Sequence, residues 1–342
     1  MMKLPLAFER YRTDIDAELR TVLAERDSPM YDMLRYHLGW IDEKGNAVQG
    51  AAGKAMRPIL CLLVHETVAG DYRKALPAAA AIELVHNFSL IHDDIQDDDR
   101  ERHHRPTVWS IWGKPQAINA GTAMRVMASL AMLRLAGHGA PAEKLLQAQR
   151  LLDESCLRLI EGQYLDISFE SRLDVRVDDY LAMIERKTAS LIACSTEMGA
   201  LLGSEDQKIR HAFREYGRNL GLAFQIRDDL LGIWGDPVRT GKPVGSDIRR
   251  KKKSFPVVYG LEYTKREANA ALKDIYCAEV IDDQGLSTAL DVLHDVRAEA
   301  YTQQMVEQYR DLALAQLANI NLSPWSRQNL EETADFVAGR EY

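Results

Sequence analysis

The stretch "LPAAAAIELVHNFSLIHDDIQD", Leu76 to Asp97, reads as one helix beginning near Pro77. At about 100° per residue, Leu84, Phe88, Ile91 and Ile95 make one apolar stripe. Asp93 and Asp97 lie one turn apart on the opposite side, with His86 nearly in line below them and Asp94 flanking the pair. A solvated acidic face is the ordinary explanation of such a run. Here Ala78 to Leu90 is apolar nearly all round, which indicates burial on both sides. A helix of that kind, ending in stacked carboxylates, is expected to point them into a cavity. Like charges that close repel and raise one another's pKa unless a cation compensates. Ligands made only of oxygen suit a hard ion such as Mg²⁺.

The rest of the chain extends the helical reading. Apolar residues recur mostly at helical spacing, and no proline stands between Pro141 and Pro237. Ser28-Pro29 and Ser323-Pro324 each offer an N-cap followed by proline. Asp178-Asp179 is read as the cap of a helix from Tyr180 to about Leu202. Gly232 to Pro256 reads as a loop, and loops that long are usually functional or disordered. The expectation is one all-α domain over residues 1–342. At 46% hydrophobic and 27% charged, the composition suits a globular protein with a real core. A net charge of −8 argues against nucleic acid as a partner. The N-terminus lacks a signal-peptide pattern, and no apolar run reaches the length of a membrane span. Cys61, Cys156, Cys194 and Cys277 are far apart and read as reduced thiols, so a cytoplasmic protein is expected.

A second acidic pair, Asp228 and Asp229, ends another apolar helical run in "GLAFQIRDDLLGIWGD", Gly221 to Asp236. Two aspartate-rich helix ends facing one another across a cavity could hold metal ions, and such ions bind diphosphates. Cationic side chains should then collect nearby. The sequence supplies Lys54 and Arg57, Arg102 and Arg105, Lys187, Lys242 and the run Arg249 to Lys253. That last run could instead be a nucleic-acid or lipid patch, although one basic run in an acidic protein supports this poorly.

With these motifs in order, the sequence resembles the trans-prenyl diphosphate synthases, the polyprenyl synthetase family. The motifs cover roughly Gly53 to Pro256. "DDIQD", Asp93 to Asp97, matches the first DDxxD motif of the family, and Lys54 and Arg57 match GKxxRP. His86, the segment with Gln163 and Asp166, the pair Lys187-Thr188, the pair Phe224-Gln225 and the motif starting at Asp228 match further signatures. "DDLLGIWGDP" and "HRPTVW" look most like bacterial geranylgeranyl diphosphate synthases. Three departures stand out. Gly232 occupies the place of a third aspartate, with Asp236 as a candidate substitute. The usual paired arginines appear as Arg102 and His103, and the usual AGD ends instead at Thr122. A neutral histidine brings no fixed charge to a diphosphate.

The resemblance implies an isoprenoid-synthase-type helical bundle around a large central cavity, and usually a homodimer. It implies three Mg²⁺ ions with bound diphosphate, held by Asp93, Asp94, Asp97, Asp228 and Asp229. Isopentenyl diphosphate would be held by Lys54, Arg57 and His86, with Arg102, His103, Lys242 and Lys252 as further substrate-binding residues. Lys187, Thr188 and Gln225 would lie beside the ionising centre of the allylic diphosphate. Ser89 and Phe88, four and five residues before the first motif, would set the product length. One small and one aromatic residue suggest twenty carbons, with fifteen the next choice. A class I terpene cyclase shares the ionisation step but needs no second diphosphate site, so Lys54, Arg57 and His86 argue against it. A non-catalytic partner subunit is the other alternative, motivated by Gly232, His103 and Thr122.

Overall fold

The computed structural model describes residues 5–48, 55–240, 243–263 and 266–340. Lys54 and Lys242 lie outside the described residues. The all-α expectation holds: the described chain is a succession of helices with a single two-stranded ribbon. It divides into two compact units. One comprises Leu6–Asp153 and Ser195–Arg210, and the other comprises Glu154–Cys194 and the chain from His211 onward.

In the first unit, α1 (Met56–Ala69), α2 (Leu76–Gln96) and α3 (Lys114–Leu133) pack side by side, with α2 between its two neighbours. Pro77 stands in the first turn of α2, where its missing N–H has no partner to lose. Ala78 to Ile82 are fully buried, as the sequence anticipated, because alanines let neighbouring backbones approach. The apolar stripe is buried at Leu84, Phe88 and Ile91 and only partly at Ile95. Close packing against α3 requires a glycine. A Cβ at Gly121 would lie 2.5 Å from the His92 ring. After α2 the chain forms a ribbon of β1 (Glu101–Arg102) and β2 (Arg105–Pro106). His103 and His104 join them with φ of 51° and 60°, the left-handed pair of a type I′ hairpin. No apolar alternation announced so short a ribbon.

The second unit contains the C-terminal part of α4 (Ala142–Glu170), α5 (Val177–Ile184), the start of α6 (Ser190–Gly203), most of α7 (Gln207–Trp234) and α8 (Phe255–Tyr263). The expected helix from Tyr180 begins earlier, at Val177. Arg176 occupies the cap, and its backbone N–H donates to Asp179 Oδ2 at 3.1 Å. Asp179 therefore serves from the third helical position rather than as the cap. Between α5 and α6, Glu185–Ala189 form a π turn, so the run to Gly203 is not one regular α-helix. Two glycines bed this turn against helix backbone. A Cβ at Gly162 on α4 would lie 2.2 Å from Lys187 N, and one at Gly221 on α7 would lie 2.5 Å from Ala189 Cα.

The expected loop from Gly232 is shorter than its sequence suggests. α7 continues through Trp234, and Pro237–Thr240 and Ser246–Arg249 are short helices. Gly245, with φ of 71°, donates its N–H to Ile233 O at 2.9 Å and folds the segment back onto α7. Ser323 caps the last helix through Ser326 N at 3.1 Å, as expected. Ser28 is not a side-chain cap. Its helix begins at Met30, and Ser28 offers only its carbonyl, to Tyr31 N.

Candidate active site

The two carboxylates that open the first motif have different surroundings. Asp93 is partly exposed, whereas the Asp94 side chain is 2% exposed and paired with Arg102 at 2.8 Å. The same guanidinium lies 3.7 Å from Asp93. Burial outweighs Arg102 and pushes the Asp94 carboxyl up to about 6. Arg102 is thus part of the first motif, tying its second aspartate to the ribbon. His103, beside it, is exposed at the ribbon's tip, and Thr122 is exposed on α3.

Arg57 Nη1 donates to His86 Nε2 at 3.1 Å. An arginine can only donate, so this nitrogen accepts and the imidazole is neutral, with its proton on Nδ1. Burial, then Arg57 and Arg102, hold the His86 pKa well below its ordinary value. His37, on the helix Met30–His37, belongs to the same neighbourhood although nothing in the sequence singled it out. Burial, then Arg102 and Arg105, push its pKa down to about 3. Phe88 is buried and meets the His92 ring edge-on at 5.7 Å, on the α3 side of α2. Ser89 lies one turn before Asp93 and donates to His86 O at 2.7 Å.

In the second unit, the motif on α7 repeats the pattern of one open and one enclosed carboxylate. The Asp228 side chain is 45% exposed and pairs with Arg340. Arg340, another residue the sequence did not reveal, also stacks over Phe224 and donates to its carbonyl at 3.1 Å. Asp229 is buried and receives three donors. Tyr180 Oη–H and Phe255 N–H (2.8 Å) donate to Oδ2, and Gln225 Nε2 donates to Oδ1 at 3.1 Å. Burial outweighs these donors and pushes the Asp229 carboxyl up to about 7. Gln225 Oε1 in turn accepts from Thr188 Oγ1 at 2.8 Å. The structure therefore joins Thr188 and Gln225, which the sequence singled out separately. Lys187, on the same π turn, pairs with Asp166.

Asp236 is exposed and occupied as a local cap, accepting from Val238 N at 2.9 Å. At Gly232, a Cβ would lie 2.0 Å from the Asp247 carboxylate. Buried Asp247 thus fills the volume that a side chain at 232 would need. Most of the basic run is engaged within the fold. Arg249 pairs with Asp283, Lys251 reaches Ala278 O, and Lys253 donates to Glu170 O at 2.9 Å. Lys252 is exposed. This use of the run leaves little of a nucleic-acid patch. Among the described residues, no helix is long and apolar enough to cross a membrane.

A family model described as polyprenyl synthetase matches residues 39–293. The chain belongs to the polyprenyl synthetase family. It is similar to the (2E,6E)-farnesyl diphosphate synthase of Mycobacterium tuberculosis, at 38% identity over 96% of this chain and 90% of the relative. It is also similar to a geranylgeranyl diphosphate synthase of that organism, at 41% over 82% of this chain and 80% of the relative. The crystal structure of a polyprenyl synthetase from Streptomyces coelicolor matches with a TM-score of 0.89 at 36% identity, covering 97% of this chain and 98% of that one. A geranylgeranyl pyrophosphate synthase from Corynebacterium glutamicum, solved with isoprenyl diphosphate and magnesium, matches with a TM-score of 0.79 at 27% identity over 98% of both chains. As a polyprenyl synthetase family member, the protein is a trans-prenyl diphosphate synthase, a transferase of prenyl groups.

Proposed function

We propose that this protein joins isopentenyl diphosphate to allylic diphosphates by 1′-4 condensation with Mg²⁺, and that its main product has twenty carbons. The observation that carries this reading is the cationic cluster of Arg57 and Arg102 about neutral His86, on the helix that bears the first motif. A cyclase has no use for a second diphosphate site of this kind.

The donor set fits a hard ion. Asp93, Asp97 and Asp228 are at least partly exposed carboxylates, while Asp94 and Asp229 are enclosed and hold the two helix ends in shape. Among the described residues, no three His, Cys, Asp or Glu side chains converge into a ready-made cage. Mg²⁺ commonly binds through one or two carboxylates plus substrate phosphates and water. Three ions with bound diphosphate are proposed by analogy with the family. Held by Asp93, Asp97 and Asp228, they would draw off the negative charge that grows on the departing diphosphate.

The protein's own groups do the rest. Arg57, oriented by His86, holds the diphosphate of isopentenyl diphosphate, with Lys54, Arg102, Lys242 and Lys252 as further cations and His103 as a further polar contact for the two substrates. Lys187, Thr188 and Gln225 line the ionising end of the allylic substrate. Its C–O bond breaks with the electron pair leaving on oxygen, and the double bond of isopentenyl diphosphate supplies the pair for the new C–C bond. The cation left on the isopentenyl unit loses a proton from the neighbouring carbon to the released diphosphate, and that C–H pair becomes the new double bond. Water has to be kept out, because it would quench the allylic cation.

Purified protein given Mg²⁺, isopentenyl diphosphate and allylic primers of several lengths tests the reading. Geranylgeranyl diphosphate as the main product is expected. Hydrocarbon release would replace the reading with a cyclase, and a folded protein without turnover would replace it with a partner subunit. In the same assay Phe88→Ala should lengthen the product to twenty-five carbons or beyond, and Ser89→Phe should shorten it towards fifteen. A packed wall cannot absorb several extra methylenes without strain. Unchanged distributions in both variants would place the determinant of product length on other residues.

Asp247, rather than Asp236, is proposed to supply the carboxylate missing at 232. Gly232→Asp alone should lower stability by about 1–3 kcal/mol through overpacking against Asp247. Adding Asp247→Gly should restore the melting temperature and the Mg²⁺-dependent binding of allylic diphosphate measured by calorimetry. Full stability of Gly232→Asp with Asp247 in place would show that the two side chains do not share one volume.

A homodimer is proposed on family grounds. The exposed apolar residues Ile118, Val126, Leu130 and Leu133 on α3 give a helical face suited to a second copy. The free cysteines suit the cytoplasm.

A further inference from the structure

We propose that Asp229 and Tyr180 are positioning residues that fix the hydrogen-bond polarity of Gln225 and Thr188, so that the Thr188 oxygen presents its lone pairs to the reacting centre. This rests on the reading that Thr188 and Gln225 lie beside the ionising carbon.

The argument starts from what each group can donate. In its ionised form, the form its three donors favour, the Asp229 carboxylate only accepts. Tyr180 Oη–H and Phe255 N–H both point at Asp229 Oδ2, which holds that carboxylate in one orientation from the side away from Gln225. Oδ1 then demands a donor, and Gln225 meets it with Nε2 at 3.1 Å. The amide cannot turn over without setting oxygen against oxygen. Its Oε1 therefore faces Thr188, whose hydroxyl hydrogen is drawn to it at 2.8 Å. With its hydrogen committed, the Thr188 oxygen can only accept in other directions. A growing allylic cation is stabilised by such an oriented oxygen without reorganisation during the reaction. The relay is buried at Thr188, Tyr180 and Asp229, where hydrogen bonds polarise one another and water does not compete. The π turn that carries Thr188 is itself bedded against Gly162 and Gly221, so the relay starts from a fixed point. Tyr180 supplies no charge and lies on α5, away from any motif the sequence offered.

The test is a polarity swap. Asp229→Asn places an amide where the carboxylate was. Its NH₂ faces Gln225, which then turns its own NH₂ towards Thr188 and reverses the relay. We expect kcat to fall about 10- to 100-fold, with KM for isopentenyl diphosphate and the Mg²⁺ needed for half-activity unchanged. Adding Gln225→Glu restores an acceptor to both neighbours and keeps the total charge. The double variant should regain at least tenfold in kcat and at least half of the lost melting temperature. Tyr180→Phe, which keeps the ring's packing, should lower kcat roughly three- to tenfold with the same unchanged KM. The melting-temperature cycle reads the relay whether or not the protein turns over, so it separates failure of this inference from failure of the catalytic reading. Additive losses in the double variant would overturn the relay. A raised Mg²⁺ requirement in Asp229→Asn would make Asp229 a metal ligand instead, and near-normal kcat in both single variants would remove its catalytic consequence.

Discussion

Replacing Asp93 or Asp97 with alanine is expected to lower kcat by about 10²-fold or more, with a rise in the Mg²⁺ needed for half-activity. Each change removes a carboxylate from the partly exposed face of α2 while leaving the buried stripe of Leu84, Phe88 and Ile91 intact. The melting temperature should therefore stay near that of the parent protein. A site holding a dication beside growing diphosphate charge works by concentrating charge, and losing one ligand both weakens the ion and misplaces it. Asp98→Ala is the matched control. Asp98 follows the motif directly but is 70% exposed and pairs with Lys114, so its loss should leave turnover unchanged. Steady-state rates across a Mg²⁺ titration decide the matter. If either Asp93→Ala or Asp97→Ala keeps a near-parental rate at low Mg²⁺, the acidic face is solvated surface and the metal assignment fails.

Gly162→Ala should act through the backbone. Its new methyl would stand 2.2 Å from Lys187 N and 2.5 Å from Lys187 Cα, and no rotamer change can move those atoms. Either α4 or the π turn must shift. A stability loss of about 3 kcal/mol is expected, at the upper end for overpacking. Protein that remains folded should lose most of its activity, since Lys187 and Thr188 ride on the displaced turn and small misplacements of positioning groups cost large factors. Gly137→Ala is the control, because nothing lies within 4 Å of its Cβ direction. Calorimetric melting and kcat measured on both variants provide the check. Parental stability and turnover in Gly162→Ala would mean the turn is not wedged.

The helices were legible because burial imposes a period. The residues from Ala78 to Leu90 announce a helix buried nearly all round, and the structure buries most of them. The first motif was legible for a related reason, since carboxylates stacked at one-turn spacing need an explanation. What stayed hidden has no period. The β1–β2 ribbon is too short to alternate, and the π turn inserts a residue without changing composition. Arg340, His37 and Tyr180 reach their partners only through the tertiary fold, so no local spacing marks them. The Gly232 departure shows the same limit. The sequence offered Asp236, the next acidic residue along the chain, whereas the carboxylate lying against Gly232 is that of Asp247, on the segment folded back by the turn at Gly245.

The π turn at Glu185–Ala189 has one more consequence, best put in terms of a screw thread. An α-helix advances its faces by about 100° per residue, so one extra residue accommodated without extra rise sets everything beyond it out of phase by that angle. The faces of α6 are thus cut to a different phase from those of α5, although the chain runs between them without a break. Deleting a single residue from the turn would yield a smoother thread with better helical hydrogen bonding. It would also rotate the side chains on one side of the cut by about a quarter turn or more. Local regularity and correct phase are opposed at this junction, and the fold keeps the phase.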